Sequence, residues 1–154
     1  MKFSSREDIE APIQQVFDML CEFEYYERSA IRRGIEVRRM DDRVHPGTGM
    51  AWAVRFKIRG HQRDMELKLS EYDAPVLMRI RGHTTGLDSD FILDLMALSP
   101  QRTRLAVSLD LKPSTLSARL LIQSLKLAKT RLSKRFKQKV AEFAQTLEDR
   151  QSRI

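Results

Sequence analysis

Residues 114–150 read STLSARLLIQSLKLAKTRLSKRFKQKVAEFAQTLEDR. Ser114 or Thr115, after Pro113, can accept an otherwise unpaired backbone N–H and so open a helix. Beyond them Leu116, Leu120, Leu121, Leu125, Ala128, Leu132, Phe136, Val140, Phe143, Ala144 and Leu147 recur as an apolar stripe at helical spacing. The pattern predicts one long C-terminal helix over residues 114–150, about 50 Å in length, with its stripe on a sheet. That exceeds the width of a small domain, so an end overhangs, bends or joins a partner subunit, which leaves a homodimer open. The stripe is too wide and irregular for a strict coiled-coil seam.

Ahead of this helix the hydrophobic period is two. Trp52, Val54, Phe56 and Ile58 alternate with Arg55, Lys57 and Arg59, and Met65, Leu67 and Leu69 alternate with Asp64, Glu66 and Lys68. Met78 and Ile80 continue the pattern after Asp73-Ala74-Pro75, followed by strands around 91–98 and through Leu105, Val107, Leu109 and Leu111. His45-Pro46-Gly47-Thr48-Gly49, Thr84-Thr85-Gly86 and Ser99-Pro100-Gln101 supply the turns, and Gly60 turns or bulges its strand. Near the start, Ile9-Glu10-Ala11-Pro12 closes a first strand. Ile13, Val16, Phe17 and Leu20 then mark a short helix, and Glu24 to Arg32 a second, which Gly34 ends. Half-apolar strands must bury one face, and the terminal helix is the obvious cover. The reading is α+β, one curved antiparallel sheet gripping one long helix, with the space between them available as a cavity.

The 154 residues suit a single domain, 1–154, that buries roughly 70% of its unfolded surface without staples. The single cysteine, Cys21, cannot form an internal disulfide and reads as a small hydrophobe. Met1 to Asp8 has no apolar signal core, and charges interrupt every run long enough for a transmembrane segment, so a cytoplasmic protein is expected. The formal charge is +7. It concentrates at the end: between Leu111 and Ala141 no acidic residue occurs, whereas Lys112, Arg119, Lys126, Lys129, Arg131, Lys134, Arg135, Lys137 and Lys139 are basic. This is either a solvated helix face or a surface for an anionic partner such as RNA, DNA, an acidic protein or anionic membrane.

The segment Ile9-Glu10-Ala11-Pro12 followed by Val16-Phe17 resembles the opening of the START-like (SRPBCC) superfamily, which includes polyketide cyclase/dehydrase, lipid-transport and plant-allergen-type proteins. The later order of strands and terminal helix is similar too, so the resemblance spans nearly the whole chain. It implies a helix-grip fold, with two short helices after strand 1 and a curved sheet wrapped around the long C-terminal helix. The cavity so formed commonly accepts lipids or other apolar molecules.

On strand parity Trp52, Val54, Phe56, Met65, Leu67, Leu69, Met78 and Ile80 face the helix. Leu121, Leu125, Leu132 and Phe136 answer from the other side, as core, as ligand-binding wall, or as both. Glu7, His61 and Arg63 share inward parity and are candidates for a polar cavity mouth, the alternative being strand-end exposure or a Glu7–Arg63 ion pair. Asp94 is either solvent-facing or a polar point in a pocket. Tyr72 and His83 can move protons, but no partner is identifiable, and His83 has outward parity. His45, His61, His83 and Cys21 show no metal-ligand spacing, no nucleotide-binding motif occurs, and no cofactor is implied. Three functions stand: binding, sequestration or transport of an apolar small molecule or lipid; a cyclase/dehydrase-type enzyme in the same cavity; and a basic interaction module.

Overall fold

Alternation of apolar and charged side chains sorts most of the chain into one sheet in the computed structural model, which describes residues 1–153. β1 (Lys2–Ile9) leads into α1 (Ile13–Leu20) and α2 (Phe23–Arg32). Then come β2 (Glu36–Arg39), β3 (Ala51–Ile58), β4 (His61–Asp73), β5 (Leu77–Thr84), β6 (Leu87–Ser99) and β7 (Arg102–Pro113), followed by α3 (Leu116–Lys126) and α4 (Lys129–Ser152). The strands form one antiparallel sheet in the order β1-β7-β6-β5-β4-β3-β2. Consecutive hairpins build β2 through β7, and β1 returns to the free side of β7. This is the helix-grip architecture.

Local chemistry explains the joints. Pro12 stands at the N-cap of α1, where the carbonyl it carries accepts the amide of Val16 at 3.1 Å. Between Ile58 and His61 the chain reverses in two residues, Arg59 and Gly60, both with positive φ, 51° and 79°. That is the turn whose twist suits a tight hairpin. In β4 the register slips: Leu69 pairs with Ile80, but Glu71 pairs with Arg79 and Tyr72 with Met78. Strict alternation from Leu67 and Leu69 puts Tyr72 outside; the bulge at Ser70 returns it to the core.

Directly opposed residues of an antiparallel pair share a face, so the register defines the inner surface. Phe3, Leu109, Phe91, Ile80 and Leu69 form one row across it, and Val107, Leu93, Met78 and Tyr72 form the next. α4 lies along β1 and runs in the same direction. Phe136 stacks 5.8 Å from Phe3, and twelve residues on the Glu148 carboxylate accepts the amide of Glu10 at 2.7 Å. Ile9, Leu105 and Leu147 are fully buried at this contact, beside Val16 and Phe17 of α1.

The long C-terminal helix is α4, about 36 Å for its 24 residues, with α3 set off ahead of it rather than continuous with it. The amides of Leu127 and Ala128 bond Ser124 and Leu125 carbonyls at 3.3 and 3.0 Å, a tight three-residue closure that breaks the α-helical ladder. The break also corrects the expected stripe. Leu116 and Leu120 are exposed, and Ala118 and Ile122 are the buried residues of α3. At about 100° per residue these two pairs lie on nearly opposite sides. α3 carries apolar residues on two opposite sides, and only one side can face the protein.

Because Leu105 is sealed between β1, β6 and the helices, Leu105→Ala is expected to lower unfolding stability by about 2–5 kcal/mol. Exposed Lys134 changed to Ala should shift it by no more than about 0.5 kcal/mol. Urea unfolding followed by circular dichroism checks both, and equal effects would place the core elsewhere.

Candidate ligand cavity

A helix on one edge of a seven-stranded sheet leaves the middle strands uncovered, and there the structure holds a cavity of about 560 Å³. Its sheet wall is Val37, Trp52, Val54, Leu67, Met78, Ile80, Phe91, Leu93 and Val107. Its helical wall is Leu20 of α1, Phe23, Tyr26, Glu27 and Ala30 of α2, Ile35, and Phe136, Lys139, Val140 and Phe143 of α4. α2 therefore acts as a second cover over β2 and β3, although it has no fully buried residue of its own.

Polar anchors hold that cover in place. The Trp52 indole N–H donates to Glu27 at 2.9 Å, so the one carboxylate in the wall is tied to the sheet. Arg39 stands 3.9 Å from the same carboxylate, lies over the Trp52 ring at 5.5 Å, and donates to Asp41 at 2.7 Å. Asp41 also accepts the amides of Ala51 and Arg43. The Arg39 guanidinium, with these amides, holds the Asp41 carboxyl well below the usual carboxylate range. At the other end of α2, Phe23 packs 5.5 Å from Trp52 and Tyr26 packs 6.1 Å from Phe143. Arg150 clasps Glu22 at 2.6 and 2.9 Å and covers the Tyr25 ring, joining α4 to the α1–α2 corner.

Two phenols are engaged by structure. The Tyr26 hydroxyl donates to the Met19 carbonyl at 2.9 Å; burial, then the nearby Glu22 charge, push its pKa well up. Tyr72 packs edge-on against Phe17 with its hydroxyl 3.8 Å from the Cys21 sulfur. Burial and that contact push Tyr72 up to about 12, and burial also raises the half-buried Cys21 thiol. Among the described residues Lys139 is the only cation in the cavity wall; its side chain is largely exposed, with Nζ 3.6 Å from Glu142.

Of the residues singled out from sequence, Trp52, Val54, Leu67, Met78, Ile80 and Phe136 line this cavity. Leu69 is fully buried core. Phe56 lies one step nearer the β3–β4 turn, opposite Arg63. Met65 and Leu67 close over Gly82, which has no side chain to hold them off, and Met65 lines a separate open groove. Leu121 and Leu125 stay on α3, and Leu132 in the first turn of α4 stops short of the wall.

The expected polar mouth does not assemble there. His61 is exposed at the hairpin turn, Arg63 and Glu7 are half-buried away from the lining, and β7, β6 and β5 separate the strands of Glu7 and Arg63. No Glu7–Arg63 ion pair forms. Asp94 is exposed on β6, and His83 bonds Asp88 at 2.6 Å on the outer face. Sequence reasoning did not assign to the lining the α2 wall, Leu20, Ile35, Val37, Phe91, Leu93, Val107, Lys139, Val140 or Phe143. Phe143 continues the stripe of Phe136 and Val140, so its signal was present; the α2 residues carry none, because only packing shows which sheet region the helix covers.

Solved structures share this fold. A protein from Thermus thermophilus superposes with a TM-score of 0.66 at 11% identity, over 96% of this chain and 97% of that one. The Zhui aromatase/cyclase from Streptomyces sp. R1128 gives 0.64 at 12% identity, over 94% and 93%. A START superfamily protein from Mycobacterium smegmatis gives 0.56 at 14%, over 89% and 97%. No protein-family model and no curated protein matches the sequence. The likeness establishes a START-like fold.

The buried phenols set a pH dependence. A raised folded-state value means that the stabilising contribution is intact below the ordinary tyrosine value of about 10. For Tyr72 it is lost as pH rises through about 12. Ultraviolet titration of the folded protein should show Tyr72 and Tyr26 ionising late, with Tyr72→Phe deleting one late step. Both phenols ionising near the ordinary value would contradict their burial.

Proposed function

We propose, from a START-like fold that leaves an apolar cavity between sheet and helices, that this protein binds an apolar small molecule or lipid and sequesters or carries it. The observation that carries the reading is the wall itself. Seventeen of its nineteen side chains are aliphatic, aromatic or thioether, and its volume of about 560 Å³ lies in the usual range for small-molecule sites. An apolar guest gains by leaving water. Lys139 on the rim offers a place for a polar end, while Glu27 is already bonded to Trp52.

A cyclase or dehydrase reaction in the same space needs a free acid or base beside its substrate. The polar wall residues are Tyr26, Glu27 and Lys139, of which Tyr26 donates to Met19 and Glu27 accepts from Trp52. His61, Arg63, Tyr72, Asp94 and Glu7 lie outside the lining. The arrangement favours carriage over catalysis.

Trp52 is the single tryptophan and lines the cavity, so it reports occupancy directly. Titration with N-phenyl-1-naphthylamine, an uncharged apolar fluorophore, should give saturable energy transfer from Trp52. Filling the space with Val54→Phe and Val107→Phe should weaken binding about tenfold or more, equivalent to about 1.4 kcal/mol, while the unfolding midpoint is kept. Absence of saturable binding, together with no apolar compound in organic extracts of the gently purified protein, would sink the proposal.

A further inference from the structure

α3 presents a face that nothing in the fold uses. Leu116, Leu120 and Leu127 are 73%, 56% and 91% exposed, and at about 100° per residue they project within about 40° of one another. Arg119 and Lys126 lie along one edge of this face, Lys129 and Arg131 follow at the start of α4, and all four are exposed. Burying only Ala118 and Ile122 satisfies α3 as a structural element. Three water-exposed leucines on one side are therefore not explained by folding.

The topology brings a second feature to the same end of the molecule. α4 runs in the direction of β1, so α3 sits where β1 and β6 begin and β7 and β5 end. The Ser114 amide fixes it there, donating to the Gly86 carbonyl in the β5–β6 turn at 2.8 Å. β3 ends and β4 begins at this end too, and their turn carries Ile58, 47% exposed, between exposed Lys57 and Arg59. Three carboxylates at this end have partners. Asp64 pairs with Arg55 at 2.8 Å, Asp88 with His83 at 2.6 Å, and Asp110 lies 3.7 Å from the terminal amine.

We propose that α3 and the β3–β4 turn form a docking face for an anionic lipid bilayer, with Leu116, Leu120, Leu127 and Ile58 entering the headgroup–acyl boundary and the surrounding arginines and lysines on lipid phosphates and carboxylates. A helix with leucines on one side and basic residues beside them is the pattern that lies in a membrane interface. A second copy of the chain fits worse, since two such faces bring like charges together with no carboxylate between residues 111 and 141 to offset them. Nucleic acid fits worse too, because it engages the cations and leaves the leucines in water. The inference concerns this surface alone and holds whether the cavity is filled or empty.

Flotation with vesicles tests it. Full-length protein at low salt should float with vesicles of equimolar phosphatidylcholine and phosphatidylserine and not with phosphatidylcholine alone. The triple substitution Leu116→Ser, Leu120→Ser, Leu127→Ser should weaken anionic-vesicle binding about tenfold or more, as should Arg119→Glu with Lys126→Glu. All these side chains are exposed, and unchanged circular dichroism and urea midpoints would show the variants folded. Ile58→Ser should give a smaller loss. Three outcomes overturn the proposal. The parent protein fails to float with anionic vesicles; or binding follows charge but ignores the leucine substitutions; or sedimentation shows a dimer that the triple substitution dissolves, which assigns the face to a second copy.

Discussion

Width is the constraint from which the rest of this structure follows. Seven strands at about 4.8 Å spacing make a sheet roughly 30 Å across, and one helix with its side chains is about 10 Å wide. α4 is placed on β1 by Phe136 against Phe3 and by fully buried Leu147 beside Ile9 and Leu105. It cannot also cover β3 and β4. The sheet curves, α1 fills the space over β6 and β7, and α2 bridges toward β2, but the middle of the inner face stays lined rather than filled. The cavity is a consequence of covering a broad apolar face with narrow elements.

An apolar cavity keeps its shape only if its walls cannot fall together, and the polar contacts around α2 supply that resistance. Trp52, Glu27, Arg39 and Asp41 form a chain from helix to sheet, with Asp41 pinned by two backbone amides. Arg150 does the same for the opposite corner through Glu22. The ion-pairing groups keep part of their exposure to solvent, so single pairs contribute modestly to stability. Their role is geometric: they hold α2 at a distance that its own side chains do not fill.

The outer surface is organised by a different necessity. α3 follows β7 directly and must return the chain to β1, which needs a turn of the helix axis at Leu127 and Ala128. Once α3 is so placed, one of its sides meets β7 and the other meets water, whatever residues occupy it. Leucines beside Arg119 and Lys126 on the wet side of the helix are a choice of sequence that the fold does not require.

Much of this architecture was legible in the letters. Period-two alternation through Trp52–Ile58 and Met65–Leu69, Pro12 before an apolar i, i+3, i+4 pattern, and the stripe from Phe136 to Leu147 are local consequences of strand and helix geometry, and each element lies where those patterns put it. The inward parity of Trp52, Val54, Leu67, Met78 and Ile80 was legible for the same reason. Three things were not. The bulge at Ser70 reverses parity for Tyr72, and a bulge is decided by pairing with β5. α3 is apolar on two opposite sides, so periodicity could not choose between Leu116 with Leu120 and Ala118 with Ile122; contact with β7 chose. The α2 wall, with Phe23, Tyr26 and Glu27, depends on where a short helix lands on strands distant in sequence. The chain by itself determined which residues form strands and helices and which strand faces are apolar, because those follow from backbone period and solvation. Tertiary structure alone decided which apolar residues meet one another and which meet empty space, because that depends on how elements of unequal width cover a single sheet.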